Sequence, residues 1–283
     1  MIPKVRQISS ICKQLPSTWM GILNTTPDSF SDGGVYTSPE RAVDRAQTLL
    51  AMGAHILDVG GVSTRPGSSP VSPNEELARV LPVARALRKE LPFAYISLDS
   101  YQPNVVYTLA REGLIDLVND VYAGRVEDTV ECERHTTISL AARFGLGIIL
   151  MHMQGEPGTM QNAPNYKDCV QEVFDFLAER ARIARACGVE FIAVDPGIGF
   201  GKRLEDNLAL LSASGMNLLT KLNYPLVIGL SRKRFIKELY PSYEQDLSVP
   251  VNRDLPTKEL ERRAIILGAN IIRSHRMPDE VQS

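Results

Sequence analysis

The feature that most constrains this fold is a recurrence. Short apolar runs rich in Ile, Val and Leu return eight times, as WMGILN, HILDVGG, AYISLDS, LVNDVY, GIILMH, FIAVDPG, LVIGLS and IIRSH, each bounded by turn residues. Between them lie segments with helical apolar spacing. Leu77, Leu81, Ala84, Leu87 and Leu91 form one stripe, Val170, Val173, Phe174, Leu177 and Ala181 a second, and Leu260, Ala264 and Leu267 a third. Strands so uniformly apolar are buried on both faces, which requires a parallel sheet covered by helices. Eight strand-plus-helix units in 283 residues predict an α/β fold, a single-domain (β/α)8 TIM barrel over residues 19–283, behind an N-terminal extension of residues 1–18. Periodicity does not distinguish a closed sheet from an open one, so a doubly wound sheet is the alternative.

The punctuation agrees with this division. Ser72, Pro73 and Glu75 supply a cap, an N1 proline and an N3 glutamate ahead of a helical run, and Gly53, Gly113, Gly188 and Gly268 each follow one. The longest irregular stretch is expected from Tyr240 to Thr257.

Composition removes several classes of function. A net charge of −2 argues against a nucleic-acid surface, which needs a basic patch. The four cysteines, Cys12, Cys132, Cys169 and Cys187, lack C-x-x-C spacing, so neither a zinc site nor a disulfide framework is expected. Buried free thiols in a reducing compartment suit them. With no signal-peptide run and no stretch of ~18 apolar residues, the expectation is a cytoplasmic protein with no membrane partner.

In a parallel barrel the chemistry gathers at the carboxyl ends of the strands. There the sequence places Asn24, Asp58, Asp99 with Ser100, Asn119 with Asp120, Met151 with His152, Asp195, Ser231 with Lys233, and Arg273 with His275. A single strand-terminal Asp usually caps a turn. Eight polar strand ends point instead to a site. Arg65, Arg273 and His275, with the hydroxyls of Ser63 and Thr64, form a donor set suited to a diphosphate, the alternative being rim salt bridges. Asn24, Asp28 and Asp32 are oxygen ligands of the kind Mg²⁺ takes, or else loop hydrogen-bonding groups. Asp99, Asn119, Asp195 and Lys233 match the donor and acceptor edge of a fused nitrogen heterocycle, with Met151 and Phe200 as walls. Structural ion pairing is the alternative for the carboxylates, which burial would otherwise make costly.

Other chemistries find no support. DPGIGFGKR resembles a phosphate-binding loop but has Pro196 and Arg203 where a P-loop needs Gly and Ser or Thr. Its glycines suit a close backbone approach or a positive φ. Neither H-E-x-x-H nor G-x-S-x-G occurs.

Taken in order, MGILNTTPDSFSDGG, DVGGVSTRPG, ISLDS, LVND, LMHMQGEPGTMQ, DPGIGFGK, GLSRKRF and IIRSH resemble the motifs of the dihydropteroate synthases, from Trp19 to Arg276. That family joins 4-aminobenzoate to a dihydropterin methyl diphosphate on a (β/α)8 barrel, forming dihydropteroate for folate biosynthesis and releasing pyrophosphate. The resemblance implies that Asp99, Asn119, Met151, Asp195, Phe200 and Lys233 bind the pterin, and that Thr64, Arg65, Arg273 and His275 bind the diphosphate. Phe30, Thr64, Pro66 and Ser231 would form the 4-aminobenzoate pocket, which makes sulfonamides expected inhibitors. Asn24 would ligand Mg²⁺, and Asp99, Lys233 and Asn24 would be catalytic, Asp99 by stabilising a pterin-methyl cation. A homodimer is implied as well.

The chain departs from the family pattern at Thr25, where Val is usual, at Val62 (Glu), Arg234 (Ser), Arg276 (Asp) and Pro256 (Gly), and MPDEVQS offers a short final helix. A pterin-dependent methyltransferase on the same barrel and a catalytically silent pterin-binding paralogue are the alternative functions.

Overall fold

The computed structural model describes residues 4–25, 38–62, 71–156 and 158–278. Eight parallel strands form one sheet: β1 (Thr18–Asn24), β2 (Ile56–Gly60), β3 (Tyr95–Asp99), β4 (Leu117–Asp120), β7 (Gly147–Met151), β8 (Ile192–Asp195), β9 (Val227–Gly229) and β10 (Ile271–Ser274). The hydrogen-bonded order is β8-β7-β4-β3-β2-β1-β10-β9, so each strand lies beside its successor in the barrel. Closure comes from a single parallel bridge, Val194 to Leu226, with the Val194 N–H donating to Pro225 O at 2.9 Å. The sheet is therefore a barrel, not an open doubly wound sheet.

Helices wrap the outside. They are α2 (Pro39–Ala51), α3 (Pro73–Glu90), α4 (Pro103–Arg111), α5 (Thr137–Phe144), α6 (Cys169–Ala186), the pair α7 (Leu204–Leu211) and α8 (Ala213–Thr220), the short α9 (Phe235–Leu239), and α10 (Asp254–Ile266). Ser72 caps α3 by accepting from the Glu75 N–H at 3.3 Å, with Pro73 in the first turn. Stripes such as Val173, Leu177, Ala181 and Ala184 face the barrel and are fully buried.

The first helix, α1 (Lys4–Gln14), closes the bottom of the barrel. Its Val5, Ile8 and Cys12 pack on the inward residues at the strand starts, Met20, Ile56, Leu117, Ile149, Ala193, Val227 and Ile271. An open barrel floor would leave these side chains wet, so α1 completes the core. Ile8 is 1% exposed. Ile8→Ala should therefore cost roughly 2–5 kcal/mol in equilibrium denaturation while leaving turnover unchanged, since the chemistry lies at the other end.

Three features differ from the expectations. A two-stranded antiparallel ribbon, β5 (Glu127–Val130) and β6 (Glu133–Thr136), sits between β4 and α5 and packs on α4. Half of its strand residues are exposed and only Val130 is buried, and EDTV and ERHT are polar almost throughout, so no apolar run announced it. The stretch from Tyr240 is shorter than Tyr240–Thr257, because a 3₁₀ turn, Pro250–Arg253, leads into α10 at Asp254. Pro256 lies in the first turn of α10, where its missing N–H costs nothing. Of the thiols, Cys12 and Cys169 are buried, whereas Cys132, at the tip of the ribbon, and Cys187 are exposed. Both exposed cysteines occupy turns rather than apolar faces.

Candidate active site

The site follows from the inward parity of the strands. Side chains two apart on a strand share a face, so the apolar floor is followed one step up by a second inward layer. That step replaces Ile56 by Asp58, Leu117 by Asn119, Ile149 by Met151, Ala193 by Asp195 and Ile271 by Arg273. β3 contributes Ser97 and then Asp99, which pairs in register with Asn119. One turn of the pleat converts a hydrophobic plug into a polar cradle.

Arg273 lies at its centre. Its Nε donates to Asp58 Oδ2 at 2.6 Å and its Nη2 to Asp99 Oδ2 at 2.6 Å. Asn119 Nδ2 also donates to Asp58 Oδ2, at 3.1 Å. Burial alone would lower the affinity of Arg273 for its proton, but the two carboxylates outweigh it and hold the guanidinium charged. Asp99 is pushed up to about 7, chiefly by burial and against the pull of Arg273, with Asp58, Asp120 and Asp195 adding repulsion. Asp58 Oδ1 and Ser97 Oγ, neighbours in register, are buried and without a partner among the described residues. The cradle floor thus keeps unused capacity to accept or donate hydrogen bonds.

Opposite stand Asp195 and Lys233. Asp195 Oδ1 accepts from the Gly197 N–H at 2.7 Å. Burial raises its pKa, opposed by Lys233 and by that N–H. Burial likewise lowers Lys233 to about 8, with Asp195 opposing. Lys233 Nζ donates to Ile198 O and lies 4.8 Å from the Phe200 ring centroid. Phe200 and Met151 join Val121, Met153, Met160, Tyr101 and Tyr122 in an apolar cluster beside the cradle. A flat ligand lying there would meet carboxylates and an amide at its edge and sulfur and aromatic groups on its face.

The remaining strand-end residues occupy the rim. His275 lies just past β10, where its Nδ1 is 3.0 Å from Ser231 Oγ and its carbonyl accepts from Arg45 Nη2 at 2.8 Å. Asn24 ends β1, half-buried, opposite Gly60 in register. Thr25 replaces an apolar residue without disturbing this corner, since its N–H and Oγ1 both donate to Gly60 O, at 2.9 and 3.1 Å. Phe30, Thr64, Arg65 and Pro66, with Ser63, Asp28 and Asp32, lie outside the described residues. Asp120 is a turn cap, accepting from Tyr122, Gly124 and Thr137 within 2.7 Å. Arg276 turns aside to Asp254 at 2.8 Å, and Arg234 is exposed at the start of α9.

Asp58 was absent from the expected ligand sets, although the structure makes it the main partner of Arg273. Its signal was available, since an Asp inside an apolar strand at inward parity has to be paired. DPGIGFGK behaves as expected of its glycines. A Cβ on Gly197 would lie 1.8 Å from His152 O and one on Gly201 2.2 Å from Gln154 O, so this loop lies flat against the segment after β7.

Comparison with known proteins gives this geometry a family. Residues 20–275 match the model described as pterin binding enzyme. A dihydropteroate synthase from Synechocystis sp. is 42% identical over 258 residues, covering 90% of this chain and 84% of that protein. Among solved structures, Yersinia pestis dihydropteroate synthase in complex with a sulfonamide drug superposes with a TM-score of 0.82 at 35% identity, covering 94% of this chain and 91% of that one. The Xanthomonas albilineans enzyme with 4-aminobenzoic acid gives a TM-score of 0.79 at 36% identity, covering 94% and 90%. With similarity extending over nearly the full length of both partners, this chain belongs to the pterin-binding enzyme family and, within it, to the dihydropteroate synthases.

Proposed function

We propose that this protein condenses a dihydropterin methyl diphosphate with 4-aminobenzoate, giving dihydropteroate and pyrophosphate. The observation that carries the reading is the inward polar layer, where Asp99, Asn119 and Asp195 surround a buried floor beside Lys233 and Arg273. A pterin edge offers adjacent N–H donors and ring acceptors, which this set answers. Asp99, Asn119, Asp195 and Lys233 hold the pterin, and Met151 and Phe200 pack on its faces. Arg273 uses Nε and Nη2 on the two carboxylates, leaving Nη1 to face a phosphate oxygen together with His275, Thr64 and Arg65. Ser231, Phe30, Thr64 and Pro66 receive 4-aminobenzoate, the component that sulfonamides imitate.

The reaction breaks the carbon–oxygen bond, whose electron pair leaves with pyrophosphate. The methylene cation then accepts the lone pair of the aniline nitrogen, which loses its proton. Asp99 lies where its negative charge opposes the positive charge developing on the pterin, and a fixed charge in a water-poor site acts strongly on such a change. Alignment of two substrates contributes further. Asn24 is the residue that would hold Mg²⁺. No group of three His, Cys, Asp or Glu placed to hold a metal ion occurs among the described residues, and a single half-buried amide suits a cation that takes its other ligands from water and phosphate. When bound, Mg²⁺ supplies charge neutralisation to the leaving group. No helix among the described residues is long and apolar enough to cross a membrane. A homodimer in the cytoplasm completes the proposal.

The test is pyrophosphate release from pterin diphosphate, 4-aminobenzoate and Mg²⁺ by purified protein. Release independent of 4-aminobenzoate, or none, would sink the reading. A pH series adds a second check. Asp99 must lose its proton to act, so kcat/KM should climb as pH rises through about 7 and fall beyond about 8, where Lys233 is discharged. A flat profile from pH 6 to 9 would separate both groups from catalysis.

A further inference from the structure

Among the buried cations of the described residues, Lys202 lies beside the pocket and has no task in the proposed chemistry. Lys202, the last residue of DPGIGFGK, is 3% exposed and lies beneath the loop that follows β8, its ammonium bonded among the described residues to His152 and to two carbonyls of that loop rather than to a carboxylate of the cradle. Its Nζ is 2.9 Å from His152 Nδ1, 3.0 Å from Gly197 O and 3.1 Å from Phe200 O. Three acceptors match the three N–H donors of an ammonium, with none left over. His152, 7% exposed, stacks edge-on against Phe176 at 5.0 Å, and burial beside Lys202 depresses its pKa to about 2, so its neutral ring is free to accept.

The loop above is held at every carbonyl. Besides the two on Lys202, Ile198 O accepts from Lys233, Gly199 O from Gln161 Nε2 at 2.8 Å, and Gly201 O from the Tyr166 hydroxyl at 2.7 Å. The Gly197 N–H in turn orients Asp195, and the Ile198 carbonyl steadies Lys233. Both groups, with Phe200, belong to the pocket, so the position of this backbone sets where three pocket side chains lie. Chains of buried hydrogen bonds transmit placement in this way because leaving one carbonyl without a donor is costly.

We propose that Lys202 is a positioning residue for the pterin pocket. Its buried ammonium, shared by His152 Nδ1 and the carbonyls of Gly197 and Phe200, fixes the loop that places Asp195, Phe200 and Lys233. The inference rests on the reading of that pocket as a pterin site. Lys202 does not touch the reacting atoms; it acts through the backbone. Burial pulls the group down to about 7, against the support of Asp195 on β8 and Asp206 on α7, and Lys233 adds to the lowering. The Tyr166 ring lies 6.0 Å away, and the Cys169 thiol on α6, pushed up to about 11 by burial, is uncharged in this range. The ammonium is the form that makes all three bonds. On the alkaline side, where Nζ becomes an acceptor, only a shift of the His152 ring proton to Nδ1 can answer it.

The experiment compares the full chain with Lys202→Met and Lys202→Gln. Kinetics give kcat and the KM of each substrate, and hydrogen exchange of residues 196–203 without substrate gives the order of the loop. Lys202→Met keeps the length but removes the donors, so the pterin KM should rise at least tenfold, about the cost of one orphaned carbonyl, that of Phe200, since Gly197 O keeps the Phe200 N–H, with the 4-aminobenzoate KM and kcat within about threefold. Exchange at 197–201 should accelerate. Lys202→Gln retains two N–H donors and should recover part of the pterin KM. An unchanged pterin KM in active Lys202→Met, or an equal loss in all three constants, would overturn the proposal. Should Lys202→Met fail to fold, Lys202→Gln against wild type carries the same comparison, and an unchanged pterin KM there overturns it. If wild type releases no pyrophosphate, the functional reading fails instead. The exchange data then decide the role of Lys202 independently, with equal exchange in wild type and variant counting against it.

Discussion

Asp99→Asn is expected to lower kcat by roughly 10²–10³-fold while changing pterin affinity far less, because the substitution keeps the shape of the side chain and removes only its charge. The amide oxygen can still accept from Arg273 Nη2, which now reaches Asp99 Oδ2 at 2.6 Å, so the cradle keeps its geometry. What is lost is the negative charge that the proposed mechanism sets against the developing cation. A group that bound substrate and transition state equally would change KM and leave kcat alone, and this split is the measurement that assigns the role. The variant should also lose the acid limb near pH 7, since the group that titrates there is gone. Unchanged turnover would show that the cation is stabilised by something else.

The second large effect is on stability. Arg273→Met should destabilise the fold by roughly 3–5 kcal/mol, because removing one partner strands buried carboxylates without compensation. Asp58 is fully buried and takes both Arg273 and Asn119 on one oxygen, while its other oxygen has no partner among the described residues. With the guanidinium absent, buried Asp58 loses its cation and Asp99, already pushed up to about 7, is driven further toward its protonated form. Adding Asp58→Asn to Arg273→Met should restore roughly 1–3 kcal/mol of the loss, since a neutral amide is cheaper to bury than an unpaired charge. Denaturation midpoints of the two single variants and the double variant form the cycle that isolates this coupling. A single-variant loss below about 1 kcal/mol would mean that the pair is not held as buried ions. Turnover in Arg273→Met should fall as well if, as proposed, the same side chain faces the departing diphosphate.

Much of this molecule was legible in its residues. The eight strands announced themselves because a strand buried on both faces needs an uninterrupted apolar run, and the helices because their stripes recur at 3.6 residues. The Ser72 cap and the glycines of DPGIGFGK were readable for local reasons, a side-chain oxygen meeting an orphan N–H and a backbone too close to admit a Cβ. The ribbon of β5 and β6 was not, because four-residue strands that are almost wholly polar carry no apolar run. Cys132 and Cys187 were misplaced because their burial depends on what covers them, which composition does not record.

The sequence by itself determined the class of fold, the family, and which polar side chains stand at the strand ends, because strand parity and motif order are properties of neighbours in the chain. Tertiary structure decided who pairs with whom. Asp58 and Arg273 are 215 residues apart, and Lys202 and His152 50, so neither contact has a local signature. The pairing of β10 with β1, β1 with β2 and β2 with β3, in their register, brings β2, β3 and β10 around one guanidinium. Burial then supplies the electrostatics. The same Asp, Lys and Arg side chains that would titrate ordinarily in water are shifted toward neutral pH or locked as ions once the barrel has excluded the solvent around them.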